Sequence, residues 1–121
     1  MNDKIYLGNT LGFNSSACVM STKNGVLAAV SQERLNNIKN TKEIPFDAIL
    51  SCLREANVKK IDEIAIGHYE DIGEAYFKKY ENPRFPNKGY SWKDYIFNFL
   101  KDEGFEVAAK DIYRVDHQTG H

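Results

Sequence analysis

Cysteine is scarce in this chain: Cys18 and Cys52 are the only two. No CxxC pair occurs, which excludes the usual zinc-thiolate and thioredoxin-type patterns. Both thiols sit in apolar stretches, where free cysteine packs as a small hydrophobe, so two buried, reduced side chains are expected. Neither sign of charge dominates, with 16 Lys and Arg against 17 Asp and Glu. The cations are scattered rather than gathered in a stripe, so no nucleic-acid partner is expected. No apolar run approaches the ~20 residues that cross a bilayer. Met-Asn-Asp-Lys leads straight into a short strand without a signal-peptide stretch. A cytoplasmic protein with no membrane partner is the expectation. Proline is confined to Pro45, Pro83 and Pro86, and there is no internal repeat or low-complexity tract.

Aromatic residues are plentiful, with seven Tyr and seven Phe among 121 residues. That supply excludes a disordered chain and suits one compact domain with a single core. Lys4–Thr10 has the short apolar character of a buried strand, closing on a Gly-Asn-Thr turn. Two apolar runs then flank Asn24-Gly25, the dipeptide that favours a type I′ hairpin. Phe46, Ile49, Leu50 and Leu53 fall at helical spacing behind Pro45, which suits a first helical turn. Ile61–Tyr69 reads as a fourth strand, free to run parallel to an earlier one because a helix precedes it. The polar and aromatic stretch 71–89 reads as a weak helix followed by a loop. Ser91 looks like an N-cap, with Asp94 three residues on. Trp92, Tyr95, Ile96, Phe99 and Leu100 give a second apolar stripe that stops near Gly104. Asp111–Val115 supplies a fifth strand, ending at Asp116.

The predicted order is βββ-α-β-α-β, with an extra weak helix before the second long one. The fold class is α/β, on the plan of a ribonuclease-H-like half. Such halves occur twice in the actin, heat-shock-chaperone and sugar-kinase superfamily. In that plan the turn between strands one and two and the end of strand five lie on one edge, where phosphate or substrate binds.

Three segments in order carry a resemblance: "LGNTLGFNSSACVM", "GVLAAVSQERLNNIKNTKEIPFDAILSCLREANV" and "DIYRVDHQTGH". Together they resemble the N-terminal part of the O-carbamoyltransferases, the nodulation-factor and antibiotic-tailoring enzymes related to the tRNA threonylcarbamoyl-adenosine proteins. The resemblance implies a longer polypeptide, of which residues 1–121 would be the truncated first lobe of the kinase-like domain. The remaining domains of the same polypeptide would be its partners. One of them would make carbamoyl-adenylate from carbamoyl phosphate and ATP. The kinase-like domain, holding an iron ion, would pass the carbamoyl group to a hydroxyl of a small molecule or sugar. Oligomeric state is left open.

The closing stretch places His117 and His121 four residues apart. On a helix that spacing would set both imidazoles on one face, about 6 Å apart at Cβ. Iron, zinc and nickel all accept such ligands, and the resemblance implies iron, with a further aspartate ligand from elsewhere. Asp116 could orient a bound histidine. A chance pair is the competing reading. At the first turn, Gly12 permits close backbone approach. Asn14, Ser15 and Ser16 offer neutral donors to a phosphate, carbamoyl or ribose oxygen, or merely cap a β-turn. Glu33, Arg34 and Lys39 could steady phosphate or acceptor oxygens, although an internal ion pair or solvated face is the commoner role. His68 is expected to be partly buried and hydrogen-bonded, with no assigned function.

One departure stands out against the family pattern. Phe13-Asn14 stands where the family has His-Asp, and phenylalanine neither donates nor accepts a proton. That leaves an alternative: an inactive member of the superfamily that binds nucleotide or partner proteins. A freestanding α/β interaction domain is a third reading.

Overall fold

Alternation along the first strand sets the plan of the molecule. In the computed structural model, which describes residues 3–11, 15–37, 41–68 and 73–116, strand β1 spans Ile5–Leu11. Leu7, Asn9 and Leu11 turn to the buried face, while Tyr6, Gly8 and Thr10 stay half-exposed on the other. The expected Gly-Asn-Thr turn does not form, and β1 runs straight through it. Ladders on both sides hold these residues extended: Thr10 pairs with Ser16 of one neighbour and with Gly67 of the other. Two-sided pairing overrides a local turn preference worth less than the hydrogen bonds it would forfeit.

Strands β2 (Ser16–Ser21) and β3 (Gly25–Ser31) complete an antiparallel meander. The hairpin is where the sequence put it, but the turn is not type I′. That type needs positive φ at two central residues, whereas only Gly25 (φ 75°) has it. The loop is three residues long, from Thr22 to Asn24, and Asn24 N–H donates to Ser21 Oγ at 2.8 Å. A bulge follows, because Val19 pairs with Ala28 and Met20 with Val26, which leaves Leu27 out of register.

A single helical turn, α1 (Glu33–Asn36), follows β3 where the sequence had suggested only a polar stretch. Helix α2 (Phe46–Glu55) starts after Pro45 and buries Phe46, Ile49, Leu50 and Leu53 as expected. It ends in a Schellman motif: Val58 N–H donates to Leu53 O and Asn57 N–H to Arg54 O, with Asn57 left-handed at φ 55°. The chain then forms β4 (Lys60–Ile61) and β5 (Glu63–His68). The weak helix in the 71–89 stretch is α3 (Glu74–Lys79). Helix α4 (Trp92–Asp102) has Ser91 as its N-cap, whose Oγ accepts from Asp94 N–H. Gly104 closes it in a second Schellman motif, with Phe105 N–H on Leu100 O and Gly104 N–H on Lys101 O. Short β6 (Glu106–Val107) pairs parallel with β4, and β7 (Ile112–Asp116) completes the main sheet.

That main sheet has five strands in the order β3-β2-β1-β5-β7, with β1, β5 and β7 mutually parallel. The fold is therefore mixed α/β, as expected. Its core lies on one face of the sheet and centres on Phe46. The Phe46 ring stacks on Phe99 at 3.9 Å and meets Tyr95 edge-on at 4.9 Å. Burying each such ring contributes roughly 1.5–3 kcal/mol. On the opposite face Met20 and Tyr113 are exposed and Cys18 is half-buried. Cys18 thus departs from the expectation of burial, because strand parity turns it away from the helices. Among the described residues, no helix is long and apolar enough to cross a membrane.

Candidate functional site

Register carries several expected residues to one edge. Leu11 ends β1 opposite His68, which ends β5, and His68 is paired with Asp116 at the end of β7. Antiparallel β2 begins at the same edge, with Ser16 between Thr10 and Ser31. The β3–α1 corner with Glu33 and Arg34 follows directly from Ser31. In open α/β sheets, ligands bind outside the carboxyl ends of the parallel strands, and this edge holds all three of those ends.

The individual residues stand differently within it. Ser15 is fully buried. Its N–H donates to Thr41 O at 3.1 Å, and its carbonyl accepts from Gln32 N–H at 2.8 Å, so its backbone ties the β2 start to the β3–α1 corner. Ser16 is half-buried and lines a shallow hollow on the open sheet face with Thr10, Cys18, Ser31 and Gly67. Glu33 is half-buried and Arg34 exposed. Asn14, with Gly12 and Phe13, lies outside the described residues, as do Lys39, His117 and His121 and the side chain of His68. Among the described residues, no group of three His, Cys, Asp or Glu could hold a metal ion.

Behind the edge lies a polar network that sequence reasoning missed. Gln32 is fully buried. Its Oε1 accepts from Ala48 N–H at 2.9 Å, in the first turn of α2, and its Nε2 donates to Glu43 and Asp47 at 2.7 Å each. Asn36 donates to Glu43 at 2.6 Å. Asn82 donates to Asp47 at 2.9 Å, and Arg84 grips both Asp47 and Glu43. Burial alone would raise the Asp47 pKa; hydrogen bonds from Arg84, Asn82 and Gln32 outweigh it and bring the carboxyl down to about 2. The same carboxylates hold the Arg84 guanidinium more firmly protonated than usual. This network fixes α1, the start of α2 and the 82–84 segment as one unit. The acid at the start of α2 was the only local sign of it.

Asn9 presents the opposite case. It is 6% exposed, and among the described residues its Oδ1 is the one buried side-chain acceptor with no hydrogen-bond partner. It borders a narrow apolar seam, walled by Leu11, Ile44, Phe46, Ile66, Phe77 and Ile96, that leaves no room for water. The Gly-Asn-Thr turn reading had masked it as a loop residue.

Two further features lie apart from the edge residues. Cys52 is buried, donates to Ala17 O at 3.3 Å, and has its thiol pushed up to about 11 by burial. Such a thiol is inert at neutral pH. A hollow of about 280 Å³ runs between α4 and the 84–90 stretch, lined by Phe85, Tyr90, Tyr95 and Phe99 among others, and holds none of the expected site residues.

No protein-family model matches the chain, and no curated protein matches it.

Proposed function

We propose that the chain is the first lobe of an ATP-dependent O-carbamoyltransferase. The parent enzyme moves a carbamoyl group from carbamoyl phosphate, by way of carbamoyl-adenylate, to a hydroxyl of a small molecule or sugar. One observation carries the reading beyond the sequence resemblance. The start of β2 with Ser15 and Ser16, the corner with Glu33 and Arg34, and the end of β7 leading into His117 share one sheet edge. An antiparallel meander extended by two helix-connected parallel strands supports a ribonuclease-H-like half of the actin and sugar-kinase kind.

In this reading Ser16 and the backbone around Asn14 donate to substrate oxygens. Arg34 meets phosphate charge, since its planar guanidinium binds such oxygens in pairs. Gln32 and the Asp47–Arg84 pair hold that corner rigid against α2. His117 and His121 hold iron or another divalent metal, which would polarise an oxygen of the transferred group.

The test supplies the chain, joined to the remaining domains of its polypeptide, with ATP, radiolabelled carbamoyl phosphate and a panel of sugars and alcohols. ATP-dependent transfer of label to one hydroxyl compound is expected, with loss of transfer in His117→Ala. Labelled acceptor appearing in no case, with nucleotide bound all the same, would favour the inactive nucleotide-binding reading that Phe13 supports.

A further inference from the structure

An unpaired amide oxygen in a packed interior is costly, by about 1–3 kcal/mol relative to a bonded one. The neighbouring buried amides of Gln32 and Asn82 are bonded, so the core is not loosely satisfied in general. Asn9 Oδ1 is the exception, and its position is specific. It lies two residues before the carboxyl end of β1, in register with Ala17 and Ile66, beneath the edge described above. An orphaned polar group of this kind points to a role outside the protein's own bonding.

The surroundings of Asn9 restrict what could bond to it. The seam walls are aliphatic and aromatic, and a carboxylate or phosphate would bring charge into them without a counter-ion. Its oxygens would also face another acceptor, since an amide oxygen only accepts. A small neutral group with an N–H donor is the complement. We infer that Asn9 Oδ1 receives the amino group of the carbamoyl unit, and so selects a carbamoyl over an acyl group of the same shape. This deepens the carbamoyltransferase reading and rests on it. The group enters from the edge, parting the Leu11 end of the seam, as a pocket opened by its ligand.

Adenosine 5′-carbamate and adenosine 5′-acetate differ only in NH₂ against CH₃ and are both uncharged. NMR titration of the chain with each ester gives the two dissociation constants. The wild type is expected to bind the carbamate about tenfold more tightly, the worth of one well-made hydrogen bond. The Asn9 side-chain amide signal should move with the carbamate and stay put with the acetate. Asn9→Leu, of similar volume, should bind both esters alike. Equal binding by the wild type, or a preference that survives in Asn9→Leu, overturns the inference and leaves the carbamoyltransferase reading intact. Binding of neither ester overturns both. The wild-type comparison stands even if the variant folds poorly.

Discussion

The corner between β3 and α1 and the middle of β1 bury amide side chains in opposite circumstances. Gln32 has its oxygen on a helix N–H and its nitrogen on two carboxylates. Asn9 has an oxygen with nothing to accept. Both lie under the same sheet edge, so burial alone does not separate them. The difference is in what each amide is bonded to. A satisfied amide welds elements together, and its removal is felt as lost stability. An unsatisfied one costs stability, and its removal should be felt in binding.

Gln32→Leu should give the largest effect. It strands Ala48 N–H and takes a donor from both Glu43 and Asp47, for a loss of about 3 kcal/mol in denaturant unfolding. A loss under roughly 0.5 kcal/mol would mean the network relaxes without it, and the contrast with Asn9 would collapse.

Acid should act more gently on the same network. The Asp47 carboxyl sits at about 2 in the fold, against an ordinary value of 3.8. A group with a depressed folded pKa contributes stability above its unfolded value and loses that contribution as pH falls through the folded one. Stability measured between pH 4 and 2 should therefore decline, and Asp47→Asn should flatten part of that slope. An unchanged slope in the variant would assign acid sensitivity to other carboxyls.

Asn9→Leu should have the smallest effect on folding. Replacing an orphaned acceptor by an apolar side chain of similar size is near neutral or stabilising, so Tm should hold steady or rise by a few degrees. A clear fall would place a hidden hydrogen bond on Asn9 and sharpen the comparison against us.

How much could be read in advance follows from where the partners lie. Helix α4 was legible because its cap and stop, Ser91 and Gly104, are local, and its stripe repeats at helical spacing. The β2–β3 hairpin was legible for the same reason, though Gly25 alone takes the left-handed conformation and the turn type changed with it. The Gln32 network was not legible. Its partners at Asp47 and Arg84 lie on segments that only tertiary folding joins. Asn9 was misread because Gly-Asn-Thr has local turn character, and ladders to β2 and β5 overrule it. The two-residue β4–β6 pairing carries too little pattern to see in sequence. Of the expected site, Ser16 and the Glu33–Arg34 corner reach the edge, and Ser15 turns out to be buried in its support.

The most direct test of the edge as a binding site is a residue-by-residue amide shift map of the wild-type chain titrated with adenosine 5′-carbamate. The account predicts shifts concentrated at Thr10, Ser16, Ser31 and Gly67, around the carboxyl ends of the parallel strands. Shifts concentrated instead at Phe85, Tyr90 and Phe99, in the hollow beside α4, would contradict it.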